Sequence, residues 1–95
     1  MSKPRNKWWQ YVKNMLRAYP KNVTQGEQDA IESAIEATLE LVDGKDRIKI
    51  IDLVFFKGGK SLAGAAMQVP CSIETAQKYH ADFIRLVGEK RGLNK

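Results

Sequence analysis

The sequence predicts an all-α protein, a compact bundle of about five helices forming one domain over residues 1–95. Apolar residues recur at three- and four-residue steps along almost the whole chain, and no stretch alternates with period two for long enough to make a convincing strand. Residues that start helices stand just before the apolar runs, at Thr24, Asp46, Ser61 and Ser72. The 95 residues are 43% hydrophobic and 28% charged, with only 3 Pro and 7 Gly, a composition that supports one core and leaves no linker.

The first helix has Pro4 in its opening turn, after Ser2 or Lys3, and is expected to stop near Ala18 because Pro20 pushes Tyr19 out of the helical region. Its apolar stripe is Trp8, Trp9, Val12, Met15, Leu16 and Tyr19, and lysines and arginines take the remaining arc. Thr24-Gln25-Gly26-Glu27 reads as a capping box opening the second helix, with Glu27 and Asp29 suited to the positive end of its dipole. That helix is expected to bury Ile31, Ala34, Ile35, Thr38, Leu39 and Val42 and to stop at Asp43-Gly44. Glu32, Glu36 and Glu40 form a row on its outer face, either opposite the basic first helix or turned to solvent.

Asp46 is expected to cap a third helix through Ile48, Ile51, Leu53, Val54, Phe55 and Phe56, ended by Gly58-Gly59. So continuous an apolar run also fits a short buried strand; its length and the cap favour the helix. Ser61 caps a short fourth helix over 62–68. After Val69-Pro70-Cys71, Ser72 caps a fifth that reaches about Lys90, with Gly92 beyond its end. Residues 1–21 thus form a basic N-terminal helix and 24–95 the remaining core.

Charge is distributed by segment. Residues 1–21 carry six bases and no acid; residues 22–46 carry seven acids and one base; residues 47–95 carry nine bases and four acids, within a total of +5. Basic ends around an acidic middle suit a polyanion, or else two solvated helix faces. A lone Cys71 and a lone His80 exclude a disulfide and the usual zinc spacings, so no metal or cofactor is expected. Cys71 reads as a small buried residue at the turn and His80 as a packed or half-exposed ring. No nucleophile–base pair, carboxylate dyad or Gly-rich phosphate loop is visible, so no enzyme is expected. No apolar run approaches a membrane span and no secretory signal is present, so a cytoplasmic protein with no membrane partner is expected.

The informative segment is Ser61–Tyr79. Two helices that cross steeply through a short turn need a small residue where one passes the other, apolar residues on both sides of the turn, a cap, and inward residues one helical turn apart. Ala66, Val69, Cys71, Ser72, Ala76 and Tyr79 meet those needs in order, the pattern of a C-terminal helix-turn-helix. Pro70 stands where such turns usually carry Gly, so this turn is of another type.

Phe55-Phe56-Lys57-Gly58-Gly59-Lys60-Ser61-Leu62 and Ser72-Ile73-Glu74-Thr75, within the stretch Ile35–Leu93, make the chain resemble region 4 of bacterial sigma factors. With the N-terminal YVKNMLRAYP, it is most similar to the small phage or prophage late-gene transcriptional activators of the RinA and ArpU type. The resemblance covers about two-thirds of the chain well and the first helix loosely. It implies a DNA-binding transcription regulator.

In such a unit the outward residues of the second helix meet bases or phosphates. Here these are Ser72, Ile73, Glu74, Thr75, Gln77, Lys78 and Ala81. Gln77 suits an adenine edge, Glu74 the cytosine amino group, and Thr75 and Ile73 a thymine methyl. Ser72, Lys60 and Lys78 suit phosphates, and Arg85, two turns on, suits the backbone. The plain alternative is that Ser72 is only a cap and the rest a solvated face. Few arginines mean modest affinity for one chain, which favours a dimer or help from RNA polymerase. Trp8 and Trp9 admit three readings: core packing, homodimerisation through the N-terminal helix, or an anionic membrane surface. Two rivals remain: a small DNA-packaging or assembly factor, and an RNA polymerase-binding adaptor with little DNA affinity.

Overall fold

A computed structural model describes residues 7–19, 21–57, 61–69 and 71–92. Among them run five α-helices and no strand: α1 (Lys7–Ala18), α2 (Gln25–Leu39), α3 (Gly44–Ile51), α4 (Leu62–Gln68) and α5 (Ile73–Lys90). The expected entry to the first helix at Ser2–Pro4 lies outside the described residues.

Helix α1 turns its stripe inward as the spacing predicts, burying Trp9, Val12, Met15 and Leu16. Trp8 packs beside them and covers Gly88 of α5, where a Cβ would lie 2.7 Å from the Trp8 ring. Both tryptophans therefore belong to this chain's own packing, the first of their three readings. Helix α2 opens on the expected capping box: the Thr24 hydroxyl accepts from the Glu27 amide at 3.2 Å, and the Thr24 amide donates to the Glu27 carboxylate at 2.9 Å.

Two expectations fail at the α2–α3 junction. Helix α2 ends at Leu39, so Leu39 is 47% exposed and Val42 entirely exposed, where the periodicity had buried both. The cause is a tight turn, in which the Leu41 amide donates to the Thr38 carbonyl and the Gly44 amide to the Leu41 carbonyl, each at 3.0 Å. Asp46 is not the cap of α3 either. The helix starts two residues earlier, and Asp43 occupies the cap position without a side-chain cap bond, giving its carboxylate to Arg47 at 2.8 Å. This early start requires Gly44: a Cβ there would lie 2.3 Å from the Thr38 carbonyl oxygen.

The apolar run after α3 continues as helix and not as strand. It widens into a π-helical segment, Asp52–Phe56, closed by the Lys57 amide donating to the Asp52 carbonyl at 2.7 Å. Leu53 packs on one apolar cluster, Phe55 and Phe56 on another, and Val54 on both. The larger cluster joins α1, α2, the π segment and the second half of α5 through Leu16, Ile31, Phe55, Phe83, Ile84 and Val87. The smaller joins Ile50, Ala65, Ala66, Val69, Ala76 and Tyr79 around the α4–α5 connection. Ser61 and Ser72 cap α4 and α5 as predicted, each accepting an amide at 3.1 Å, and Gly92 ends the chain's last helix with φ +81°.

Gly44→Ala is expected to destabilise the protein by about 2–3 kcal/mol, since backbone must move to admit the methyl group. Gly88→Ala should cost about 1 kcal/mol, because overpacking against Trp8 outweighs the gain in helix propensity. Urea denaturation of both variants checks the order, and Trp8→Leu should abolish the penalty at Gly88 alone.

Candidate nucleic-acid interface

The surface singled out by the sequence is the outward flank of α5. The inward side of this helix is fixed by Ala76, Tyr79, Phe83, Ile84 and Val87, all buried, while Gly88 is buried on another side, beneath Trp8. At 100° per residue, Gln77, Ala81, Glu74, Arg85 and Lys78 then fall on one strip of the opposite arc. Glu74, Gln77, Lys78 and Arg85 are exposed and Ala81 half-buried. The structure thus brings these five onto one face.

The remaining expected residues divide. Ile73, 45% exposed, sits at the tip of α5. Ser72 is exposed but occupied as a cap: besides accepting the Thr75 amide, its hydroxyl donates to the Thr75 hydroxyl at 2.9 Å. Thr75 is correspondingly half-buried and lies off the strip. Lys60 lies outside the described residues, as does Pro70 at the connection.

On one side of the strip, Gln77, His80 and Ala81 meet Trp9, Gln10 and Lys13 of α1 around an open recess of about 510 Å³. The His80 ring stacks on Phe55 at 5.4 Å between centroids, and the Arg17 guanidinium lies 5.8 Å from the same Phe55 ring. Lys13 and Arg17 therefore bring two cations of α1 to the edge of α5 that carries Gln77 and His80.

On the other side stands a carboxylate that sequence reasoning missed. Asp82 accepts from Arg47 at 3.0 Å and Lys78 at 3.2 Å through one oxygen, and from Arg85 at 3.0 Å through the other. Arg47 also binds Asp43 and lies 4.7 Å over the Tyr79 ring, with only 14% of its side chain exposed. Burial alone would raise the Asp82 carboxyl pKa, but the hydrogen bonds from Arg47 and Lys78 outweigh it and hold it below the ordinary range. The hydrogen bond from Arg47 lowers Asp43 likewise, and burial pushes the Tyr79 hydroxyl up. The spacings Lys78-x-x-x-Asp82 and Asp82-x-x-Arg85 were visible along the chain. Arg47, thirty-five positions from Asp82, had no sequence signal.

Arg47 anchors Asp82 from below, while Lys78 and Arg85 reach it from the solvent side. An incoming anion can thus take either outer cation without leaving the Asp82 charge unpaired. Such a release is inexpensive because exposed ion pairs contribute little.

Depressed folded-state carboxyl pKa values add stability above the unfolded value, near pH 4, that is lost as pH falls through the folded ones. The thermal midpoint is therefore expected to fall as pH drops from about 5 to about 2.5. In Asp82→Asn, already less stable at neutral pH, that acid-dependent loss should be smaller. An equal pH dependence in both proteins counts against the Asp82 hub.

No family model matches this chain, and no curated protein and no solved structure matches it either.

Proposed function

We propose that the protein is a sequence-specific double-stranded DNA-binding transcription regulator, with α4 and α5 acting as a helix-turn-helix and α5 entering the major groove. The observation that carries the reading is the register across the α4–α5 connection. Ala66, Val69, Ala76 and Tyr79 face inward, while Glu74, Gln77, Lys78 and Arg85 share the exposed strip, with Ala81 half-buried among them against the larger cluster. A helix seated in a groove needs this division of labour, with one side fixing the helix and the other free to read.

Gln77 would bond an adenine edge in two places and Glu74 would accept from a cytosine amino group. Ile73 at the tip would touch a thymine methyl. Lys78 and Arg85 would exchange Asp82 for phosphates, joined by Lys13 and Arg17 from α1 and by Lys60. Ser72 is a cap, and its role toward DNA is to set the N-terminus of α5, whose dipole favours phosphate. With two of its cations shared with Asp82, the strip binds weakly in one copy, so a second copy or RNA polymerase would supply the rest. The resemblance to phage and prophage late-gene activators and to sigma region 4 points the same way and gives the reading its regulatory setting.

Duplex DNA of mixed sequence should bind at about 50 mM salt and release steeply as salt rises. Lys78→Ala should lower the salt slope by about one. Gln77→Ala should cost roughly 1–3 kcal/mol on the selected site and little on random sequence. Asp82→Asn, freeing two cations, should raise affinity for random duplex. Absence of binding at low salt overturns the DNA reading; full regulatory activity of Gln77→Ala/Lys78→Ala turns it toward a polymerase adaptor, and a stable ring larger than a dimer toward a packaging factor.

A further inference from the structure

One face of the bundle is left uncovered by the described residues and takes no part in the α5 strip. Between α2 and α3 runs an open apolar groove of about 430 Å³, walled by Ile35 and Leu39 on one side and Ile48 on the other, with Tyr19 and Phe56 beside them. Leu39 and Lys45 also border a second recess, which carries the apolar surface on to Leu41 and Val42. Leu39 and Leu41 are about half exposed and Val42 fully. Three large aliphatic side chains within four residues, continuous with a groove, make the kind of patch that marks a protein contact.

The two walls differ in charge. Glu32, Glu36 and Glu40 follow one another at four-residue steps, the first two on α2 and Glu40 at its C-terminal cap; Glu36 and Glu40 are exposed, and Glu32 is half-buried, accepting from Tyr19 and Gln28. Lys45 and Lys49, both exposed, border the groove from α3; Asp46, also exposed, and Asp43, which is paired with Arg47, border only the second recess. Asp52, which also borders the groove, is paired with Lys57 at 3.5 Å.

The geometry points to a second copy of this chain as the occupant: an isologous dimer through the α2–α3 face, its two-fold axis lying along the groove. The charges select both the partner and the axis. A two-fold along the groove exchanges its walls, so each glutamate wall meets the other copy's lysine wall on both sides of a shared apolar floor. A two-fold across the groove would set glutamates against glutamates and lysines against lysines, which is costly. A partner of one charge sign would satisfy one wall and be repelled by the other. The chosen axis also apposes the two α2–α3 turns, so Leu41 and Val42 of each copy are covered by those of the other, and the contact closes at two copies. This interface is separate from α1, whose tryptophans are spent on the chain's own core, and it does not depend on DNA binding.

Sedimentation equilibrium of the full chain, from micromolar to millimolar concentration in low salt, should show a monomer–dimer equilibrium that salt weakens. Lys45→Glu/Lys49→Glu has two acidic walls and Glu36→Lys/Glu40→Lys two basic ones, so each alone should dimerise roughly tenfold or more weakly. Mixed in equal amounts, the two should associate at least as well as the unaltered chain. Val42→Asp should weaken the dimer in every background. All five positions are exposed, and circular dichroism verifies that each variant folds. A chain that stays monomeric at millimolar concentration, a dimer indifferent to these changes, or charge-swapped chains that fail to pair would each overturn the inference.

Discussion

The structure depends on α5 closing two apolar clusters with one side of a single helix. Its first half holds Ala76 and Tyr79 against Ala65, Ala66 and Val69; its second half holds Phe83, Ile84 and Val87 against α1, α2 and the π segment. A helix fixed at both ends of its length cannot rotate without emptying one cluster or the other. Leaving a buried leucine- or phenylalanine-sized site unfilled costs about 2–5 kcal/mol, a large part of a small domain's stability. The outward arc is thereby set, and with it the positions of Gln77, Lys78 and Arg85. The burial of Tyr79 and Phe83 is what aims the strip.

Electrostatics tunes that strip without creating it. Asp82 lies at the edge of the exposed arc, where a lone carboxylate would oppose an anionic ligand. Instead it is held by Arg47, which α3 delivers from the core side and which Asp43 and Tyr79 keep in place. The early start of α3 at Gly44 matters here, because it puts Asp43 one helical turn before Arg47. A turn residue, a close-packed glycine and a surface charge pattern are thus linked through one short helix.

Much of the fold was legible because its signals are local. The capping box at Thr24, the caps at Ser61 and Ser72, and the inward register from Ala66 to Tyr79 each involve residues within a few positions, where helix geometry alone decides contacts. The misreadings arose where tertiary contacts decide. Leu39 and Val42 continue the apolar period of α2, but the chain turns before the period can be used, since Gly44 packs on the end of that helix. Gly88 carries no signal along the chain, because what it accommodates is Trp8, eighty positions away. For the candidate site, the exposed strip was legible from helical period and the Asp82 hub was not, since Arg47 comes from another helix. Exposure of the strip is a property of the structure; contact with DNA is the proposal built on it.

The uneven charge along the chain takes on spatial meaning through α1. One flank of this helix carries Tyr11 and Tyr19, whose hydroxyls donate to Glu27 and Glu32 at the start of α2. The other carries Lys13 and Arg17 and meets α5 beside Gln77 and His80. Among the described residues, α1 meets Glu27 and Glu32 through its tyrosines, while Lys13 and Arg17 lie on the side of α5. Had Lys13 and Arg17 paired with the glutamate row, the cations beside the α5 strip would be Lys78 and Arg85 alone, both already shared with Asp82. The signs are thus separated on opposite flanks of α1, with Lys13 and Arg17 on one and the tyrosine-bound Glu27 and Glu32 on the other. If the protein binds DNA as proposed, the polyanion would be drawn to the flank with Lys13 and Arg17 and repelled by the flank with the glutamates.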